Sequence, residues 1–120
     1  MTAHITDRPL IYVAGPYRAS TINQILKNIW QARLRAEWLW TNGYVPIVPH
    51  LNGAFMDGAV PDEILLSAHL EILSRCDGVL MVEGWEMSEG SKAEHKLAVA
   101  KNMLILYDPM VVKPGLDDPH

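Results

Sequence analysis

Gly78-Val79-Leu80-Met81-Val82, followed after a turn by Ser88-Glu89-Gly90-Ser91-Lys92-Ala93-Glu94, is the stretch that decides how this chain folds. An apolar run without alternation marks a strand covered on both faces, as in a parallel sheet. The Gly/Ser turn then opens a helical pattern that runs through Lys101. A strand that passes into a helix in this way leaves unpaired backbone N–H groups at the sheet edge, where open α/β folds gather their ligand chemistry. The same residues also have a purely structural reading. Ser91-x-x-Glu94 has the spacing of a capping box, with Ser91 as N-cap and Glu94 reaching back to its N–H.

Toward the N-terminus, Asp77-Gly78 restarts the chain after a helical pattern that begins with Pro61 as first residue and runs to about Cys76. Asp62 and Glu63 suit its positive end, and Leu65, Leu66, Leu70 and Leu73 supply its apolar spacing. Before it, Pro49-His50 opens a Gly- and Pro-containing loop to Val60, long enough for a binding loop or lid. Tyr44-Val45-Pro46-Ile47-Val48 reads as a strand that Pro46 makes peripheral or interrupted. Leu10-Ile11-Tyr12-Val13-Ala14 is a second run of the buried-strand type, broken by Gly15-Pro16-Tyr17-Arg18. Ser20, Thr21 and Asn23 are each suitable N-caps for the long pattern that follows. Ile22, Ile25, Ile29, Ala32, Ala36 and Leu39 form its core stripe until Asn42-Gly43 ends it. Leu26, Trp30, Leu34 and Trp38 form a second apolar face on the same helix, which predicts a homodimer.

Downstream, Asn102 closes the last helix and Met103-Leu104-Ile105-Leu106-Tyr107 reads as a fourth buried strand. Asp108 to His120, with three prolines and no period, reads as a tail. The order β-α-β-α-β-α-β selects a parallel sheet with helices on both faces. The expected fold is therefore α/β, a single Rossmann-like (flavodoxin-like) three-layer domain over residues 1–120. Its sheet is mostly parallel with about four to five strands, its core spans about 9–107 and its tail 108–120.

Composition narrows the function. A chain of 120 residues supports one core, and a net charge of −4 without a Lys/Arg run argues against a nucleic acid polymer or an anionic membrane as partner. Cys76 is the only cysteine, which excludes an internal disulfide and fits the cytoplasm. Met1 to Asp7 is polar, and the first apolar run is too short for a signal peptide or a membrane span. His50, His69 and His95 show no ligand spacing, so neither metal nor cofactor is expected.

In a parallel sheet the loops after the first and third strands meet at one edge, which sets Gly15, Tyr17 and Arg18 opposite Ser88, Gly90 and Glu94. Arg18 has the fixed fork that suits a phosphate, and the alternative of a solvated arginine stays open. Tyr12 lies in a buried strand, where its hydroxyl needs a partner. Asp57 and Asp62 are candidate acids. Trp85 precedes Ser88 and has the ring to stack on a flat ligand, whereas Trp30, Trp38 and Trp40 read as packing or interface.

Taken together, Ile11-Tyr12-Val13-Ala14-Gly15-Pro16-Tyr17-Arg18, Cys76-Asp77-Gly78-Val79-Leu80 and Ser88-x-Gly90-Ser91-x-x-Glu94 resemble the nucleoside 2-deoxyribosyltransferase superfamily. The nearest functional branch is the deoxynucleoside 5′-monophosphate N-hydrolases. DUF4406-type proteins share the Gly-Pro-Tyr-Arg and Gly-Trp motifs. The resemblance covers roughly residues 9 to 107 and rests on short motifs in the right order. It implies cleavage of an N-glycosidic bond, with Glu94 as the nucleophile that forms a glycosyl-enzyme intermediate. It also implies Tyr12 beside the nucleophile, Arg18 near the nucleotide, and Ser88 with Gly90 and Ser91 at the 5′-phosphate. Ser88 stands where the transferases carry an aspartate, which favours hydrolase over transferase. His69 stands where the family keeps the aspartate that assists the leaving base and is the candidate acid in its place, and the lost aspartate makes a non-catalytic nucleotide-binding module the other alternative. A first-turn Glu94 is expected to be kept ionised by the helix dipole.

Overall fold

The apolar runs become the strands of one sheet in the computed structural model, which describes residues 7–52 and 58–111. Strand β1 spans Leu10–Ala14, β2 Val45–Ile47, β3 Gly78–Met81 and β4 Leu104–Tyr107, all parallel in the order β2-β1-β3-β4. Helix α1 covers Ile22–Thr41, α2 Pro49–Asn52, α3 Asp62–Ser74 and α4 Glu89–Ala100, with a short 3-10 turn at Trp85–Met87. Because strand side chains alternate, β1 and β3 are buried on both faces. Ile11, Val13 and Leu80 pack on Ala32 and Leu39 of α1, while Tyr12, Ala14, Val79 and Met81 pack on Leu73 of α3 and Ala98 of α4. This is the expected α/β three-layer, Rossmann-like domain with four strands.

Several local expectations change. Thr21 is the N-cap of α1, accepting the Gln24 N–H at 3.1 Å, and Gly43 closes the helix with φ of 92°. The core stripe holds only in the C-terminal half of α1. Ala32, Ala36 and Leu39 are buried, but Ile22 is exposed. On the second face Leu26 and Trp30 are exposed, whereas Trp38 stacks on Tyr44 and belongs to the core. Pro46 sits on edge strand β2, where its missing N–H costs no ladder bond. Pro61 is the N-cap residue of α3 rather than its first helical residue. Pro49-His50 starts the short helix α2 and both residues are buried. Asp57 lies outside the described residues.

The fourth strand is an edge rather than a buried strand. Leu104 and Tyr107 are exposed at its ends, since among the described strands only β3 pairs with it. Asp108, read as the start of a tail, is instead fixed in the interior by Arg35 of α1, with both side chains under 8% exposed. Residues 112–120 lie outside the described part. Among the described residues no helix is long and apolar enough to cross a membrane.

Candidate active site

Two close approaches bring the sheet-edge loops together. A Cβ on Gly15 would lie 2.7 Å from Val82 Cβ, so the loop after β1 lies against the end of β3 because residue 15 has no side chain. From β3 the chain turns through Gly84, with φ of 91°, and the 3-10 turn into α4. Ser88 is the N-cap of α4, its Oγ accepting the Ser91 N–H at 3.2 Å. The helix thus starts three residues before the capping-box reading allows. Ser91 is the third helical residue instead of the cap, and Glu89 pairs with Lys92 at 2.6 Å in the first turn.

That shift in start decides what Glu94 does. As the sixth helical residue it lies beyond the first turn, where the helix dipole has faded. It points inward, 7% exposed, and accepts a hydrogen bond from the hydroxyl of Tyr12, which is fully buried on β1. The partner that the Tyr12 hydroxyl needs is therefore Glu94. Burial pushes the Glu94 carboxyl up to about 7, with the Tyr12 hydrogen bond opposing the rise. The expectation of a dipole-held, permanently ionised glutamate is corrected: desolvation governs this carboxyl. Burial, and then the Glu94 charge, push the Tyr12 phenol upward, so it remains the donor.

Glu94 opens onto a cavity of about 750 Å³. The loop after β1 contributes Gly15, Tyr17 and Arg18, while α4 contributes Ser88, Gly90, Ser91 and Glu94. His69 enters from α3 and His50 from α2. Ser91 is 2% exposed and its Oγ has no hydrogen-bond partner, although the cavity is lined by this residue. A buried hydroxyl without a partner is costly unless something supplies one. Arg18 pairs with Asp62 of α3 at 2.5 Å across the mouth, with both side chains well exposed. Burial lowers the pKa of His69 and, more completely enclosed, of His50, which favours neutral imidazoles.

Of the residues singled out from sequence, Trp85 is not brought to the cavity. Its ring stacks on His95, centroids 4.3 Å apart, and the His95 ring nitrogen Nε2 lies 2.8 Å from the Tyr107 hydroxyl. These three form a separate cluster beside β4.

Two features were missed. His50 carries no ligand spacing in the sequence, yet its Nε2–H donates to the Pro16 carbonyl at 3.0 Å, its ring meets Tyr17 edge-on, and its buried Nδ1 has no partner. No periodic signal marks a residue of so short a helix. The second is Arg35, whose Nε and Nη2 reach Asp108 at 2.8–3.1 Å while the Asp108 carboxylate also accepts the Glu83 N–H at 2.8 Å. This arrangement ties the loop after β3 to α1. Its signal was present: Arg35 falls between Ala32 and Leu39 on an apolar stripe, where a charge requires a partner.

Among the described residues no cluster of His, Cys, Asp or Glu is arranged to hold a metal ion. The assembled groups suit covalent chemistry at a carbon: a buried carboxylate, a phenol that orients it, and a helix start with a spare hydroxyl for an anionic substituent. A family model described as Domain of unknown function (DUF7768) matches residues 9–108. No curated protein matches the chain.

Proposed function

The chain belongs to the DUF7768 family, and we propose that it is a hydrolase that cleaves the N-glycosidic bond of a nucleoside 5′-monophosphate. The observation that carries this reading is the buried Tyr12–Glu94 pair at the wall of a cavity whose rim is the start of α4. Glu94, once ionised, attacks C1′ and the base departs with the bonding pair, leaving a glycosyl ester. Water then opens the ester and restores the carboxylate. Tyr12 holds Glu94 in place by its hydrogen bond. Ser88, Gly90 and Ser91 receive the phosphate, with the Ser91 hydroxyl as a donor that no protein group uses. Arg18 stands at the mouth with Tyr17.

The test is to incubate the protein with nucleoside and deoxynucleoside 5′-monophosphates and measure free base and sugar phosphate. Release is expected, with loss of more than about 10³-fold in Glu94→Gln, about 4 kcal/mol of barrier. Absence of release from every nucleotide by the parent protein sinks the reading. Adding a second free base and finding a new nucleotide would identify a transferase instead. The reading places the protein in the cytoplasm as a homodimer joined through the exposed Ile22, Leu26 and Trp30 of α1. A monomeric mass at micromolar concentration counts against the dimer.

A further inference from the structure

The class of base follows from which protons the cavity is able to give. A neutral purine or pyrimidine leaves C1′ as an anion unless an acid protonates it as the bond breaks, and such acid catalysis is typically worth about 10²–10⁴-fold. A base joined through a positively charged ring nitrogen needs no proton, since the departing electron pair cancels its charge.

The described cavity residues suit the second kind. His50 has committed its one N–H to the Pro16 carbonyl, leaving Nδ1 as an acceptor. Burial turns His69 and His50 toward the neutral imidazole, which takes a proton more readily than it gives one. The charge balance agrees. Asp62, Glu63, Glu89 and Glu94 line the cavity against Arg18. The Arg18–Asp62 and Glu89–Lys92 pairs cancel, and once Glu94 has bonded to C1′ the carboxylate that remains is Glu63. Its charge disfavours a departing anion and favours a cation. Tyr17 adds an aromatic ring of the kind that holds cations.

Resting on the N-glycosidase reading, we infer that the substrate is a nucleotide whose base is a cationic aromatic ring of the N-ribosylpyridinium class, released as the neutral pyridine. The Glu94 carboxylate bonds to C1′ and the C1′–N bond breaks. Its electron pair stays on the ring nitrogen, so the pyridinium becomes neutral and no proton moves. In the second step water adds to C1′, Glu94 leaves as carboxylate, and the proton lost by the water passes to the neutral His69 imidazole and then to solvent. The bound cation also favours the ionised carboxylate and so recruits the nucleophile.

The experiment compares nicotinamide mononucleotide with AMP and the four common deoxynucleoside monophosphates, using the full chain between pH 5 and 9 and chromatography of the released base. The pyridinium base is expected to be released about 10²–10⁴-fold faster than any neutral base. Its rate is expected to rise through about pH 7 with Glu94 and then stay level. Tyr12 from β1 bonds that carboxyl, and the other titratable and charged groups lining its cavity are Arg18 from the loop after β1, His50 from α2, Asp62, Glu63 and His69 from the α3 side and Glu89 from α4. Equal or faster release of a neutral base overturns the inference while the N-glycosidase reading stands. A falling alkaline limb with the pyridinium substrate also overturns it, because departure then needs an acid. Release from no substrate overturns the glycosidase reading and this inference with it.

Discussion

Two carboxylates are buried on opposite sides of the sheet, and they are treated in opposite ways. Asp108, beside α1, is met by the Arg35 guanidinium and by the N–H groups of Glu83 and Met110. Glu94, on the α4 side, is met by one neutral phenol. The first carboxylate is matched charge for charge and holds three segments together. The second is held in position without a countercharge, and its proton affinity rises to about 7. Similar burial therefore produces a fastening in one place and a carboxyl with raised proton affinity in the other, depending on whether a cation is supplied.

The strongest way to break this contrast is Arg35→Ala. It leaves the Asp108 charge buried and unpaired, and should cost about 3–5 kcal/mol of stability in urea unfolding. A loss below about 1 kcal/mol would place Asp108 in the same class as Glu94. The pH dependence of stability comes next. The Glu94 carboxyl is raised in the folded state from its ordinary 4.5 to about 7, so folded protein binds the extra proton between those values. Its contribution is complete below about pH 4.5 and lost as pH rises through 7. That amounts to at most about 3.5 kcal/mol, at about 1.4 per pH unit. Urea unfolding at pH 5 and 8 should show this decline in the parent protein and not in Glu94→Gln.

Smaller effects sharpen the picture at single atoms. Tyr12→Phe removes the one hydrogen bond that opposes the rise of Glu94. It should cost about 1–3 kcal/mol and move the acidic limb of base release to higher pH; an unmoved limb would show that Tyr12 does not tune the carboxyl. Ser91→Ala removes a buried hydroxyl that bonds nothing in the protein, so stability should not fall and should rise by up to about 1–3 kcal/mol. The same variant should weaken nucleotide binding, measured by calorimetry. A large stability loss with binding intact would assign the hydroxyl to the fold.

Much of this was legible in the sequence. The apolar runs of Ile11–Ala14 and Val79–Met81 could only be strands covered on both faces, and the alternation with helical patterns required a parallel sheet. The pairing of the Gly15–Arg18 loop with the start of α4 followed from that topology. Less legible were features that depend on where a chain stops or what lies across from it. Ser88 and Ser91 are both good caps, and the 3-10 turn at Trp85–Met87 is what gives the position to Ser88. Leu104 and Tyr107 read as core, but β4 has a neighbour on one side only.

By itself the sequence determined the order of elements, the parallel sheet and the residues of the loops that meet at its edge, because hydrophobic period and turn chemistry act over a few residues. Only the tertiary structure decided that Glu94 is a desolvated carboxyl held by Tyr12 while Asp108 is a neutralised one held by Arg35. Those properties depend on partners 82 and 73 residues away, and burial and charge act through space.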